Sequence, residues 1–261
     1  MSILHQIIAT KKEELAFFKP LCSIQRFIDE GFYWHATRRS LFDALISANT
    51  SGIIAEFKRK SPSKGWFNED IEPQQVIPFY DASAAAISIL TDEQYFGGSL
   101  DDLLATRQLT TRPILRKDFI IDAWQIAEAR SFGADVILLI ASCLTPMQVK
   151  DLSAAAKAYQ MEVILELHDE NEIGHICEDT LMIGINNRNL NTFQVDIEQS
   201  IRMSQQIPKG KILIAESGIQ SVDEVRHFRK NGFSGFLAGE VFMKQSNPGE
   251  AFQQFVKNLE A

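Results

Sequence analysis

Short apolar runs alternate with longer amphipathic stretches along most of the chain. From residue 52 onward, eight apolar runs occupy 52–57, 85–90, 113–116, 135–140, 162–167, 181–185, 211–215 and 235–238. Runs that are apolar throughout are typical of parallel strands buried on both faces of a sheet. Apolar residues at helical spacing recur between them, at 73–83, 100–109, 122–132, 146–159, 197–206, 222–230 and 248–259. Eight strand–helix units predict an α/β fold, a (β/α)8 TIM barrel over 51–261.

The first 50 residues follow a different pattern. Apolar residues such as Ile3, Ile7 and Ile8 recur there at helical spacing, and Pro20 and Gly31 interrupt the pattern. We expect a helical extension over 1–50 that packs on the barrel and is too short and irregular to be a domain of its own. The chain as a whole, 1–261, is then predicted to be one domain.

An open, doubly wound sheet is the alternative to the barrel, because it also alternates strands and helices. Its dinucleotide-binding version normally carries G-x-G-x-x-G after a strand, and this sequence contains no such stretch. The barrel is the preferred prediction, and an open sheet without that motif stays as the alternative.

Charge and length limit the classes of partner. The net charge of −8 argues against a nucleic-acid surface, which would need many basic groups to neutralise phosphates. A local basic pocket for a small anion remains compatible with it. The longest apolar segment, around 136–144, is much shorter than the roughly 20 residues of a membrane helix. We therefore expect no nucleic-acid partner and no membrane partner, and a monomer is compatible with the sequence.

Cysteine usage and the N-terminus indicate the compartment. Cys22, Cys143 and Cys177 are odd in number and widely spaced, which favours neither a disulfide framework nor a zinc site. Lys11 and Lys12 interrupt the N-terminal apolar pattern, so we expect no signal peptide. A cytoplasmic protein is the prediction.

Charged residues stand at the ends of several predicted strands. They are Glu56, Lys58, Lys117, Glu166, Arg188 and Glu216. Barrel active sites lie at the C-terminal strand ends, so these side chains would meet at one mouth. A lysine beside carboxylates can donate a proton, and a partly desolvated glutamate can act as acid or base. We interpret the cluster as a catalytic or binding centre. As alternatives, Glu216 could be only a structural ion pair with a neighbouring lysine, and Arg188 could be a surface residue.

Two glycine-containing loops favour an anion site. Residues 215–219 and 238–240 follow the last two strands, where many barrels bind phosphate through backbone N–H groups. Ser61 and Lys64, after the first strand, could complete the site. The Glu240 carboxylate would repel a phosphate, so only its amide would serve. Tight turns that close the barrel are the alternative interpretation.

The stretch from His168 to Glu172 favours a helix start over a metal site. Asp169 would cap the helix and Glu172 would reach back, as in a capping box, while the five histidines are too scattered for a ligand set.

The aromatics near the loops are Trp66, Phe67, Phe96 and Phe119; they could stack on a ring, although core packing is the commoner role. The residues alone thus predict a metal-independent acid–base enzyme acting on a phosphorylated small molecule.

Six blocks resemble the indole-3-glycerol-phosphate synthase family. They are IIAEFKRKSPSKG (53–65), ILRKDF (114–119), LELHDENE (165–172), IGINNRNL (183–190), AESGI (215–219) and FLAGEVFM (236–243). The first is the family's signature, and the others would be weak alone. The resemblance implies a TIM barrel with a helical extension near its mouth. It also implies a cofactor-free lyase of tryptophan biosynthesis that converts 1-(o-carboxyphenylamino)-1-deoxyribulose 5-phosphate to indole-3-glycerol phosphate, carbon dioxide and water.

The resemblance implies a role for each matching residue. Lys117 would be the general acid that protonates the carbonyl oxygen during ring closure, and Glu166 the acid–base partner for dehydration. Lys58 would hold the substrate carboxylate and exchange protons in later steps, and Glu56 would position Lys58.

The remaining implied roles concern substrate binding. Asn186, which we count with the catalytic residues, and Arg188 would orient substrate hydroxyls, and Glu216 would bind a hydroxyl. The other substrate-binding positions are Ser61, Gly218, Gly239 and the amide of Glu240 for the phosphate, Ser217 in the same loop, and Phe119 and Leu138 for the ring. A phosphoribosyl isomerase on the same fold, or a catalytically silent barrel that serves as a binding partner, is the alternative function.

Overall fold

The N-terminal extension is helical. The structure, a computed structural model, describes residues 2–48, 50–188 and 195–261, so the end of the 183–190 block lies outside it. The extension contains α1 (Ile3–Phe18), α2 (Ile24–Glu30) and α3 (Leu41–Ile46). Each begins after a serine, Ser2, Ser23 or Ser40, whose hydroxyl accepts a hydrogen bond from the N–H three residues on. These N-caps are encoded locally, and the predicted helical segments are confirmed.

Eight parallel strands close into a barrel. The strands in chain order are β1 (Ile53–Phe57), β2 (Lys60–Ser61), β3 (Gly65–Trp66), β4 (Ala86–Leu90), β5 (Ile114–Lys117), β6 (Val136–Ile140), β7 (Glu162–Leu167), β8 (Met182–Asn186), β9 (Ile212–Glu216) and β10 (Gly235–Ala238). β2 and β3 form a short antiparallel hairpin. The other eight pair in chain order, and β1 pairs with β10 to complete the circle. The predicted barrel is confirmed and the open sheet is wrong.

Helices follow the barrel strands and pack outside them. They are α4 (Pro73–Ser83), α5 (Glu93–Phe96), α6 (Leu100–Leu109), α7 (Ala123–Ser131), α8 (Pro146–Ala158), α9 (Ile197–Ser204), α10 (Val222–Lys230), α11 (Glu240–Met243) and α12 (Pro248–Glu260). Two 3-10 helices span Ala141–Cys143 and Glu170–His175. Within the part of the chain described, no helix is long and apolar enough to cross a membrane.

The predicted capping box after β7 is wrong in its second half. Asp169 does cap the next segment, because its carboxylate accepts from the N–H of Asn171. Glu172 instead accepts from the N–H of His168, at 2.6 Å, and the segment is a 3-10 helix. The carboxylate reaches one residue further back than the motif predicts, and so holds the backbone at the end of β7.

The extension covers both ends of the barrel. Leu41 and Leu45 of α3 pack with Ile54 and Leu115 inside the barrel, and α3 is held by Glu162 at the start of β7. At the opposite end, residues of α1 lie over the C-terminal ends of the strands. The extension therefore seals the bottom of the barrel and forms part of its mouth.

Candidate active site

A cavity of about 200 Å³ opens at the C-terminal ends of the barrel strands. All the residues predicted to be catalytic or substrate-binding line it. They are Glu56, Lys58, Ser61, Lys117, Phe119, Leu138, Glu166, Asn186, Arg188, Glu216, Ser217, Gly218, Gly239 and Glu240. The structure therefore brings the predicted set together in one place, while the role of each residue stays a prediction.

The centre of the cavity is the ammonium of Lys117. Its Nζ lies 2.7 Å from Glu166 Oε2 and 2.9 Å from Glu216 Oε2. These residues belong to β5, β7 and β9, and Glu56 belongs to β1. The hairpin β2–β3 is not part of the barrel, so every second strand around the barrel contributes one charged side chain. Inward side chains of alternate strands share a layer in a TIM barrel, which explains why residues far apart in sequence meet here.

Burial and mutual charge set the protonation of this layer. Burial alone would lower the pKa of Lys117, but the surrounding carboxylates outweigh it and raise that pKa above its ordinary value. Burial also raises the pKa of Glu216, to about 8, in spite of Lys117 and with the help of the Glu166 charge. The pKa of Glu166 moves the other way, well below its ordinary value, because Lys117 and His168 overcome the effect of burial. At neutral pH the layer holds an ammonium between a carboxylate and a protonated carboxyl group.

Two glycines make room for the buried carboxyl groups. A Cβ at Gly184 would lie 2.0 Å from Glu216 Oε1, and one at Gly239 would lie 2.8 Å from Glu56 Oε1. Any side chain at either position would displace a glutamate. Gly239 belongs to the predicted phosphate loop, and the structure adds this second reason for a glycine there.

A second ion pair lies at the end of β1. Lys58 Nζ is 2.5 Å from Glu56 Oε1, and the lysine side chain is more exposed to the cavity than its partner. The two side chains share one face of the strand, as the period of two predicts. Lys58 is thus a positive group that faces the cavity with its charge only partly neutralised.

Asn186 and Arg188 link the central layer to the neighbouring loops. Asn186 Nδ2 donates to Glu166 Oε1 at 2.9 Å, and Asn186 Oδ1 accepts from the N–H of Arg188. The Arg188 guanidinium lies 3.4 Å from Glu240 Oε2 and 3.3 Å from Ser63 Oγ. Arg188 therefore neutralises the glutamate that would otherwise repel a phosphate.

The loops after β9 and β10 have the backbone expected of an anion site. Ser217 and Gly218 both have positive φ, 63° and 77°, and Asn187 holds the Ser217 carbonyl at 2.7 Å. Gly239 caps α11, so the first N–H groups of that helix point outward at its N-terminus. Ser61 Oγ is buried and has no hydrogen-bond partner among the described residues. Lys64, by contrast, is exposed and is not part of the lining.

Apolar side chains also line the cavity. The ring centroids of Phe96 and Phe119 are 6.0 Å apart, and Leu138 and Ile140 line the cavity as well. Trp66 is exposed and, with Phe67, lies outside the lining. The cavity is therefore amphipathic, because apolar and aromatic side chains line it together with the charged groups.

Helix α1 contributes lining residues that were not named from the sequence, although the resemblance placed the extension near the mouth. Ile3, Leu4 and Ile7 line the cavity, and Lys11, on the same helix, is buried with its Nζ 3.0 Å from Asp92 and 3.2 Å from Asp118. Ile3, Ile7 and Lys11 are four residues apart and so share one helix face. That spacing places Lys11 on the apolar face of α1, but its burial as a charged group depends on the two aspartates.

His168 was also missed as a lining residue. It follows Glu166 by two positions at the end of β7, so both side chains point to the same side. Among the described residues, no cluster of three or more His, Cys, Asp or Glu side chains could hold a metal ion.

The chain is similar to proteins of known family. A sequence model of the family "Indole-3-glycerol phosphate synthase" matches residues 4–255. The indole-3-glycerol phosphate synthase of Bacteroides thetaiotaomicron is 46% identical over 259 residues, which cover 99% of each chain. That of Campylobacter fetus is 42% identical over 250 residues, 94% of this chain and 95% of the relative.

Solved structures share the fold at much lower identity. A chain of the tryptophan synthase complex of Pyrococcus furiosus aligns with a TM-score of 0.60 at 14% identity, covering 81% of this chain and 98% of that one. The 3-hexulose-6-phosphate synthase of Salmonella typhimurium aligns with a TM-score of 0.61 at 13% identity, covering 80% and 98%. These likenesses show the barrel and nothing more.

Proposed function

The chain belongs to the indole-3-glycerol phosphate synthase family, and from that premise we propose which of its residues perform the reaction. The enzyme converts 1-(o-carboxyphenylamino)-1-deoxyribulose 5-phosphate to indole-3-glycerol phosphate by ring closure, decarboxylation and dehydration, a step of tryptophan biosynthesis. The observation that carries the assignment is the Lys117 ammonium, held between Glu166 and Glu216 at 2.7 and 2.9 Å on the wall of the cavity.

Lys117 is the general acid of ring closure. Its raised pKa keeps it protonated at neutral pH. As the aromatic carbon attacks the ketose carbonyl, negative charge develops on the carbonyl oxygen, and the buried ammonium is placed to donate its proton there. The flanking carboxyl groups fix its position, so little reorganisation accompanies the transfer.

Lys58 binds the substrate carboxylate. It faces the cavity from the end of β1, and Glu56 holds it at 2.5 Å. After ring closure the carboxylate leaves as carbon dioxide, and the aromatic ring is restored. Pairing with Glu56 orients the ammonium, while its partial exposure leaves it able to bind a second anion.

Glu166 and Glu216 act on the hydroxyl that ring closure creates. The protonated Glu216 carboxyl can donate a hydrogen bond to it, because burial raises that pKa to about 8. Glu166 is the acid–base group of dehydration, and Asn186 fixes its Oε1 at 2.9 Å. Loss of water then completes the indole ring.

The rest of the cavity positions the substrate. The amides of Gly218, Gly239 and Glu240, with Ser61 and the Ser217 loop, bind the phosphate. Arg188 orients the substrate hydroxyls and neutralises Glu240. Phe119 and Leu138 hold the anthranilate ring. The cytoplasmic location, the monomeric state, and the absence of nucleic-acid and membrane partners remain predictions from the sequence.

Indole fluorescence tests the central assignment. The purified parent is mixed with the carboxyphenylamino-deoxyribulose phosphate and compared with Lys117→Ala and Lys157→Ala. Lys157 is a matched control, because it also pairs with a carboxylate, Asp179 at 2.6 Å, but lies exposed on α8. We expect Lys117→Ala to lose on the order of 10²- to 10⁴-fold in kcat and Lys157→Ala to match the parent. Near-normal turnover by Lys117→Ala would refute its role as the acid.

A further inference from the structure

The stoichiometry of the reaction requires a proton from solvent. The carbonyl oxygen takes one proton in ring closure, and the departing hydroxyl takes a second. One proton returns when a C–H bond breaks to complete the indole. One proton per turnover must therefore enter the site, and the central layer of buried side chains has to receive it from a group nearer the surface.

The imidazole of His168 is placed to supply that proton. Its Nε2 lies 3.0 Å from Glu166 Oε1, the oxygen that faces away from Lys117. Its Nδ1 lies 4.0 Å from Glu172 Oε2, a carboxylate that is partly exposed. At the end of β7, the ring thus lies between the buried Glu166 and the partly exposed Glu172.

The ring is buried and its hydrogen-bonding capacity is unused. The side chain is only 9% exposed, and neither nitrogen makes an aligned hydrogen bond within residues 2–48, 50–188 and 195–261. The 3.0 Å approach of Nε2 to Glu166 Oε1 is a charge contact. A buried polar group without a partner costs about 1–3 kcal/mol, and such a group in a cavity points to function more than to packing.

The surrounding charges favour a protonated ring. The titratable groups around His168 are the carboxyl groups of Glu166, Glu172 and Glu216, the Lys117 ammonium and the Cys143 thiol. Burial lowers the pKa of His168, but the neighbouring glutamates outweigh burial and raise it above the ordinary value. Cys143 carries no charge, because burial raises its pKa to about 12.

We propose that His168 is a positioning residue that relays protons from solvent to Glu166 during the dehydration step. The inference rests on the proposed role of Glu166. Once Lys117 has given its proton to the carbonyl oxygen, Glu166 no longer faces that positive charge, and its affinity for a proton rises. The Nε2–H bond then breaks, its electron pair stays on nitrogen, and an O–H bond forms at Glu166 Oε1. Glu166 passes this proton to the hydroxyl as the C–O bond breaks, and water leaves. The C–H bond that completes the indole then breaks, and its proton goes to the Glu166 carboxylate and from there to the neutral Lys117 amine 2.7 Å away. The neutral imidazole is reprotonated from the side of Glu172.

The first test is the pH dependence of kcat for His168→Gln. Glutamine keeps a polar N–H near the position of Nε2 but cannot titrate. We expect kcat at pH 7 to fall about 10- to 100-fold, the effect of losing an interaction with a charged group, while KM stays within twofold. The parent should lose activity on the alkaline side as both the imidazolium and the Glu216 carboxyl group deprotonate, and His168→Gln should keep only the part of that limb that is due to Glu216.

His227→Gln is the matched control. His227 Nε2 lies 3.1 Å from Glu198, almost the same separation, but that pair is exposed on the outside of the barrel. The substitution should leave both kcat and the pH profile unchanged. A His168→Gln enzyme with the kcat and alkaline limb of the parent would overturn the relay. If Glu166→Gln itself kept the turnover of the parent, the proposed role of Glu166 would fail instead, and the relay with it.

A second measurement needs no turnover and does not depend on the folding of His168→Gln. The five histidines of the parent and of Glu166→Gln are titrated by NMR after assignment. We expect the pKa of His168 to fall by about one to three units in Glu166→Gln, because the closest opposite charge is gone. A His168 titration that is the same in both proteins would contradict the proposed contact.

Discussion

Replacing Glu216 by glutamine should stabilise the protein while lowering its catalytic activity. The native site holds this buried carboxyl group with a pKa raised to about 8, against an ordinary value of 4.5. Glutamine has nearly the same shape, never ionises, and presents N–H groups where the protonated carboxyl presents its O–H. The substitution therefore removes the cost of keeping an ionisable group in this position.

The size of the effect follows from proton linkage. Between pH 4.5 and 8 the unfolded chain has ionised this group and the native state has not, so the native protein binds an extra proton. Stability from this group is fully present below pH 4.5 and is lost as the pH rises through 8. At 1.36 kcal/mol per pH unit, the loss is about 3 kcal/mol at pH 7 and about 5 kcal/mol above pH 8. Glu216→Gln should recover these amounts.

Thermal unfolding at several pH values measures the gain. About 3 kcal/mol corresponds to a Tm roughly 6–12 °C above that of the parent at pH 7, and the difference should shrink to near zero at pH 4.5. Glu13→Gln on the exposed side of α1 is the control, and a surface change of this kind should stay within about 0.5 kcal/mol at every pH. The protonation of Glu216 in the native state would be refuted if Glu216→Gln were no more stable than the parent at pH 7. A difference in Tm that does not change with pH would refute it as well.

Two further predictions concern the supports of the site. Gly184→Ala should push Glu216 away from Lys117, because the new Cβ would lie 2.0 Å from Glu216 Oε1. Steady-state kinetics should then show kcat reduced at least about tenfold. An unchanged kcat would contradict the geometry of the layer. Lys11→Met should destabilise the protein by roughly 3–5 kcal/mol, because it leaves Asp92 buried without a cation and Asp118 with Arg116 alone. Thermal unfolding and proteolysis of α1 measure this loss, and an unaltered Tm would show that the ion network does not hold the helix.

The strands were predictable because their burial is recorded directly in the sequence. Each of the eight predicted runs agrees with a barrel strand within one residue at either end. A parallel strand inside a barrel is buried on both faces, so it is apolar throughout and the pattern needs no partner to be recognised. The charged strand ends were predictable for the same reason, since Glu166 stands between Leu165 and Leu167 near the end of an otherwise apolar stretch that begins at Val163.

The remaining features depend on contacts that no local pattern specifies. Lys11 counts as a surface charge in the sequence, yet it is buried because Asp92 and Asp118 reach it from two other strand ends. The closing of the barrel bottom by α3 and the covering of the mouth by α1 are likewise set by tertiary packing. Glu172 departs from the capping box because its carboxylate accepts from the N–H of His168, one residue before the N-cap, and this choice of partner is not visible in the sequence.

The division of labour between Lys117 and Glu166 is tested most directly by following carbon dioxide and indole separately in single turnovers. The substrate carries a carbon-14 label in its carboxylate, and the parent, Lys117→Ala and Glu166→Gln are compared at saturating enzyme. Lys117→Ala should release both products on the order of 10²- to 10⁴-fold more slowly than the parent, because ring closure precedes both. Glu166→Gln should release labelled carbon dioxide but form no indole, because only dehydration is blocked. Carbon dioxide release by Lys117→Ala at the rate of the parent would contradict the assignment, and so would indole formation by Glu166→Gln at that rate.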